Sequence, residues 1–128
     1  MIVDASALLA VLLREPEKQR FRELIALDPE PVISPVNFLE AAIRADALGS
    51  AESQGLDRLI ETSGIEIVQV TPQQARLARE AYQKFGKGNH PARLNIGDCF
   101  AYALAKARNE PLLFKGDDFR QTDVEAAI

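Results

Sequence analysis

Four acidic residues stand at or near the ends of apolar segments: Asp4 in MIVDAS, Glu40 in NFLEAAI, Asp98 in NIGDCF and Asp117 in FKGDDF. Gathered by the fold, they form one pocket of four carboxylates. Like charges at such spacing repel and push one another's pKa upward. A hard divalent cation offsets that repulsion and takes oxygen ligands, so the expected cofactor is Mg²⁺, with Mn²⁺ as the alternative. Such an ion keeps waters and accepts phosphate oxygens from a substrate. It activates an attacking water and stabilises charge developing on phosphorus. This is chemistry for phosphodiester hydrolysis with no covalent protein intermediate. The single cysteine, Cys99, and single histidine, His90, exclude a zinc site built on several Cys and His ligands.

Each acid also has a structural reading. Asp4 suits a helix N-cap. Asp98 suits the positive end of a helix dipole, and Asp117 suits a turn. Glu40 is different, because it falls in mid-helix among Phe38, Leu39, Ala41, Ala42 and Ile43, where no cap needs it. Helical spacing puts Asn37, Glu40 and Arg44 on one face. Two readings stay open there: a Glu40–Arg44 surface pair worth about 0.3–0.5 kcal/mol, or a metal-facing carboxylate with Asn37 as a supporting donor.

The elements that must position these residues alternate between short apolar runs and amphipathic helices. Met1–Val3 is a first strand, followed by helices over Ala5–Arg14 and Glu17–Leu27. In the second helix Phe21, Leu24, Ile25 and Leu27 point inward. Val32–Ser34 is a strand. Pro35 opens a helix running over Val36–Leu48 to Gly49. Ala51–Thr62 is a helix ended by Gly64, and Ile65–Val70 is the clearest strand by residue type. Thr71 as N-cap and Pro72 as first residue start a helix through Phe85. Gly86–Asn95 is a loop, Ile96–Arg108 a helix, Pro111–Phe114 a strand and Gly116–Asp118 a turn. A short edge strand is expected near Val124. Strands joined by helices predict an α/β fold with a mostly parallel central sheet of four or five strands and helices on both faces. Ligands bind beyond the carboxyl ends of such strands, where all four acids can meet.

The 128 residues fit a single domain with a core of its own. One cysteine allows no internal disulfide and suits a reducing compartment. The apolar run Ala5–Leu13 is too short to span a bilayer and has no signal-peptide flank. No membrane association and a cytoplasmic location are therefore expected. The net charge of −4 is unlike that of a simple phosphate-backbone binder. Yet Ala81–Gly97 holds no acid and carries Lys84, Lys87, His90 and Arg93, so a nucleic-acid partner stays open.

The segments MIVDASALLAVLLREPE, SPVNFLEAAI and HPARLNIGDCFAYALAKARNEPLLFKGDDFRQTD together resemble the PIN-domain ribonucleases of the VapC toxin type. The resemblance spans essentially the whole length and implies a single PIN-like three-layer sandwich over residues 1–128. It implies Asp4, Glu40, Asp98 and Asp117 as the catalytic, metal-holding set. The resemblance gives Ser6 a supporting role and ranks Asp118 behind Asp117, while Asn37 supports Glu40 by its helical spacing. It further implies Mg²⁺- or Mn²⁺-dependent endoribonuclease activity on structured RNA such as tRNA or rRNA. The implied partners are a cognate antitoxin that places a basic side chain at the acids, and a second copy in a homodimer that becomes a heterotetramer or larger with antitoxin.

The loop GKGNHPARLNIG supplies Lys87, His90 and Arg93 as substrate-binding residues just ahead of Asp98; the competing reading is a solvated basic loop. Cys99 reads as a small core residue rather than a nucleophile. Phe100, Tyr102 and Leu104 read as packing residues. Two rival functions are a receiver-type phospho-acceptor domain and a catalytically inert RNA- or antitoxin-binding module. A receiver requires an acid pair after the first strand and an Asp after a middle strand, whereas Ile65–Val70 runs into Thr71-Pro72. A dehalogenase-like phosphatase requires Asp-x-Asp where this chain has Asp4-Ala5-Ser6.

Overall fold

The structure, a computed structural model, describes residues 1–128. The elements are β1 (Ile2–Val3), α1 (Ala5–Leu12), α2 (Lys18–Leu27), β2 (Val32–Ile33), α3 (Pro35–Leu48), α4 (Ser50–Ser63), β3 (Glu66–Ile67), α5 (Pro72–Phe85), α6 (Ile96–Arg108) and β4 (Leu112–Leu113). A single 3₁₀ turn follows at Phe119–Gln121.

The four strands form one parallel sheet in the order β3-β2-β1-β4. The two-residue alternation of a strand divides it between two cores. Val3, Ile33 and Leu113 face one side, packed with α1 to α4 through Leu8, Phe21, Ile25, Ala41 and Leu56. Ile2, Val32 and Leu112 face the other, packed with α5 and α6 through Ala78, Ala81, Leu94, Tyr102 and Leu104. Three layers result, as expected for an α/β sandwich. Alanines at 101, 103 and 105 let α6 lie close to the sheet. No helix is long and apolar enough to cross a membrane.

The strands differ from expectation mainly in length. Ile65–Val70 pairs only at Glu66 and Ile67, both exposed, with one further bond from the Val68 amide to the Ile33 carbonyl at 3.1 Å. The cause lies in its neighbour. β2 stops at Ile33 because Ser34 turns to cap α3, accepting from the Val36 amide at 3.3 Å, so β3 has nothing to pair with further along. At the other edge, Leu112 bonds to Glu125 at 2.8 Å and accepts from Ala127 at 2.9 Å. This makes a single parallel bridge to Ala126, just past Val124. α1 ends two residues before Arg14, which adopts a left-handed φ of 56°. Leu27 is 80% exposed rather than inward; six residues beyond Phe21, it lies about 240° around the helix from it, off the buried stripe.

Candidate active site

The parallel sheet aims the carboxyl ends of β1, β2 and β4 at one edge. Asp4 directly follows β1, with its amide donating to the Leu113 carbonyl at 2.9 Å. It is 4% exposed and caps α1. The Ser6 amide and hydroxyl both donate to Asp4 Oδ2, at 3.0 and 2.5 Å. Ser6 Oγ in turn accepts from the Lys115 amide at 3.0 Å, which ties the end of β1 to the turn after β4. Burial raises the Asp4 pKa against the opposing pull of the Ser6 bonds.

Glu40 lies in the second turn of α3 and does not pair with Arg44. It accepts from Asn37 Nδ2 at 2.9 Å. Burial raises its pKa, the Asn37 bond opposes this, and the Asp4 charge adds to the rise. Asp98 sits in the first turn of α6 within a reciprocal capping box. Its Oδ2 accepts from the Asn95 amide at 3.0 Å, and its own amide donates to Asn95 Oδ1 at 2.8 Å. Asp98 is pushed up to about 7, first by burial against the lowering bond from Asn95, then by the charges of Asp4, Glu40 and Asp118. Three carboxyls thus lie within electrostatic reach of one another, and Asp118 acts on Asp98 as a fourth.

The adjacent acids Asp117 and Asp118 line two different concavities. Gly116 takes a left-handed φ of 99° and turns the chain so that the two side chains diverge. Asp118 lines a cleft of about 250 Å³ with Lys87, Arg93 and Asn95. Asp117 instead lines the largest concavity, about 510 Å³, with Glu17, Arg20, Lys115 and Arg120. The charges that raise Asp98 are those of Asp4, Glu40 and Asp118. Gly116, with its left-handed φ, lies between β4 and the two acids.

No cationic side chain neutralises the group. The ion pairs of the chain engage Asp28, Glu110, Glu23, Asp123, Glu15 and Glu17 instead. Lys115, the nearest lysine in sequence, is drawn to Glu15 and Glu17. Buried carboxyls whose pKa values rise together suit a hard cation held through oxygen. No three Asp, Glu, His or Cys side chains converge tightly enough to hold an ion by themselves. The fit is therefore to an ion that keeps part of its shell as water or substrate oxygen, which is the habit of Mg²⁺.

Of the loop cations, Lys87 and Arg93 line the Asp118 cleft. His90 turns inward: its Nδ1 accepts from the Ala92 amide at 3.0 Å, and its ring meets Phe85 edge-on at 5.2 Å. The loop closes through the Lys87 amide to Leu94 and the Leu94 amide to Phe85, each at 2.9 Å. Cys99 is buried, its thiol pushed up to about 11 by burial and then by Asp98. Tyr102 and Leu104 pack in the core, the Tyr102 hydroxyl donating to Asp123 at 2.6 Å. Two contributors escaped the sequence reading. Asn95 was signalled by the Asn-x-x-Asp spacing of a capping box. Gly97 was signalled by a glycine in a helical first turn, where it has no propensity advantage.

The chain matches the family model for the PIN domain over residues 1–125. It is 44% identical over 127 residues to a protein of Mycolicibacterium smegmatis named ribonuclease VapC, covering 98% of each chain. It is 42% identical over 125 residues to ribonuclease VapC30 of Mycobacterium tuberculosis, covering 97% of this chain and 95% of that one. Among solved structures, a toxin–antitoxin complex from Klebsiella pneumoniae aligns with a TM-score of 0.72 at 18% identity, over 95% of this chain and 92% of that one. VapC20 of Mycobacterium tuberculosis, a sarcin-ricin loop cleaving toxin, aligns with a TM-score of 0.71 at 17% identity, over 98% of this chain and 97% of that one. The carboxylate group at the edge of a parallel sheet thus stands on a PIN fold, and the chain belongs to the PIN-domain family of VapC ribonucleases.

Proposed function

We propose that this chain is a divalent-metal-dependent endoribonuclease that hydrolyses RNA phosphodiester bonds and serves as the toxin of a toxin–antitoxin pair. The observation that carries the reading is the meeting of Asp4, Glu40 and Asp98 at one sheet edge with no cationic side chain among them. These three, with Asp118 in place of Asp117, are the residues that would hold the metal. When bound, Mg²⁺ or Mn²⁺ supplies Lewis-acid polarisation of a phosphate oxygen and a more acidic attacking water. The chain's own residues do the rest. Ser6 and Asn37 orient two of the carboxylates. Lys87 and Arg93 bind the RNA backbone beside Asp118, and His90 fixes the loop that carries them. In the metal-free chain the raised carboxyls retain protons more readily, so cation binding releases protons and tightens as pH rises.

The partners belong to the same proposal. A basic side chain of a cognate antitoxin would neutralise the acids, and a homodimer would associate with it as a heterotetramer or larger. The proposed RNA target is tRNA or rRNA. The test is cleavage of a total RNA pool by purified protein with Mg²⁺, Mn²⁺ or chelator, beside Glu40→Gln and Asp98→Asn. Metal-dependent cutting lost in both variants is expected; equal cleavage by all three proteins would sink the mechanism. RNA binding without cutting would instead identify an inert module. For the toxin role, induction in cells is expected to arrest growth unless the neighbouring small gene is co-expressed.

A further inference from the structure

Asn37 is fully buried, and its side-chain amide works as a two-pronged donor. Nδ2 donates to Glu40 Oε1 and to the Gly97 carbonyl, both at 2.9 Å, joining α3 to the first turn of α6. Its Oδ1 is buried with no partner. A buried, half-used amide is a costly choice where an apolar side chain of similar volume would fill the space. The two acceptors facing Nδ2 account for it: reversing the amide would point Oδ1 at two oxygens.

Gly97 completes the arrangement. Its φ is not left-handed, so backbone freedom is not what the position needs. Space is what it needs: a Cβ there would lie 2.2 Å from Glu40 Cδ, Oε1 and Oε2. The Glu40 carboxylate occupies the volume that any other residue at 97 would fill, one residue from Asp98. We infer that Asn37 and Gly97 are positioning residues for Glu40: the amide ties its carboxylate to α6, and the missing side chain gives that carboxylate its place beside Asp98. The inference deepens the metal-dependent nuclease reading above and rests on it for its functional consequence.

A compensating pair tests it. Gly97→Ala is expected to fold, by circular dichroism and thermal melting, but to lose Mn²⁺ affinity by about 10- to 100-fold, the range for misplaced supporting groups. Glu40→Asp shortens the side chain by one carbon–carbon bond, about 1.5 Å. Drawn back along its own direction by that much, the carboxylate would lie at most about 3.7 Å from the added methyl instead of 2.2 Å, which is ordinary packing. The double variant Gly97→Ala/Glu40→Asp is therefore expected to bind Mn²⁺ more tightly than Gly97→Ala alone. Asn37→Ala should weaken Mn²⁺ binding without the shorter acid restoring it. A folded Gly97→Ala protein with wild-type Mn²⁺ affinity, or a double variant no better than Gly97→Ala, overturns the inference. A readout independent of metal and RNA separates this failure from that of the nuclease reading. In a ¹⁵N spectrum the Asn37 side-chain amide protons of the wild type should be protected from exchange, and Gly97→Ala should expose at least one. Unchanged protection refutes the positioning role even if RNA is cleaved. Protection lost on Gly97→Ala supports it even if wild type neither binds Mn²⁺ nor cuts RNA.

Discussion

Replacing Asp98 by Asn separates the work of its charge from the work of its cap. The capping bond needs only an acceptor for the Asn95 amide, and an Asn side-chain oxygen supplies one. The charge is another matter, since Asp98 rises from 3.8 to about 7 in the folded chain. A carboxyl with a raised folded pKa binds more protons native than unfolded, so stability falls as pH climbs from the unfolded value through the folded one. About three pKa units correspond to about 4 kcal/mol of destabilisation once both states are ionised. Partial solvent screening reduces this. Discounted by about half for that screening, about 2 kcal/mol is left. In chelator at about pH 8, Asp98→Asn should therefore melt roughly 6–8 °C above the wild type. The gap should narrow as pH falls from about 7 and close only below the unfolded value of 3.8, where the wild-type carboxyl is protonated in both states. Excess Mg²⁺ should raise the wild-type melting temperature and not that of the variant, while RNA cleavage is lost in the variant. Thermal melts over this pH range decide the matter. Equal melting temperatures at alkaline pH, or a difference that does not shrink on acidification, would show that Asp98 carries no buried-charge penalty.

Asp118→Asn should reduce kcat by about 100-fold, the scale for removing one electrostatic group at a reacting centre, whereas Asp117→Asn should stay within about twofold; the reverse order would restore Asp117 as the fourth acid. Lys87→Ala and Arg93→Ala, measured for RNA binding in an Asp98→Asn background, should each reduce the slope of log affinity against log salt by roughly 0.7, as expected for one lost contact to a single strand. His90→Ala should lower loop stability without that change in slope. Iodoacetamide should fail to label Cys99 in the native protein near neutral pH and label it readily in denaturant, because its thiol is buried and pushed up to about 11; rapid native labelling would contradict the core assignment.

The helices were legible because their ends carry chemistry that acts locally. Thr71 accepts from the Gln74 amide at 3.1 Å and Pro72 follows it, so α5 begins where residue types alone put it. α6 spans Ile96–Arg108 as read. β3 was less legible because its length depends on its neighbour. Ile65–Val70 has strand-forming side chains throughout, but β2 leaves the sheet at Ser34. The site shows the same division. Asp4, Glu40 and Asp98 were placed by their elements. For Asp117 and Asp118 the sequence offered only a ranking by resemblance, whereas their placement in two different concavities depends on the turn at Gly116 and on the loop across the cleft. His90 was read as a phosphate contact from its place ahead of Asp98; the bond from the Ala92 amide to its Nδ1 and its contact with Phe85 tie it into the loop, which the sequence did not signal.

The helix-start readings of Asp4 and Asp98 in the sequence are met in the structure, and the same geometry serves the proposed metal site. Asp4 receives both Ser6 bonds on Oδ2, and Asp98 receives the Asn95 amide on Oδ2. Each cap fixes the side-chain torsions through one oxygen and leaves Oδ1 uncommitted to it. An N-cap is worth about 1 kcal/mol, less than the roughly 2 kcal/mol for the charge of Asp98, so capping alone does not account for burying that acid. What capping does supply is orientation: a carboxylate held by backbone amides at the start of a helix cannot swing away from its neighbours to relieve the repulsion. Glu40 has no cap to do this, and Asn37 and Gly97 stand in for one. The fold thereby retains the repulsion, which the proposed divalent cation would relieve, and part of that ion's affinity would come from this relief.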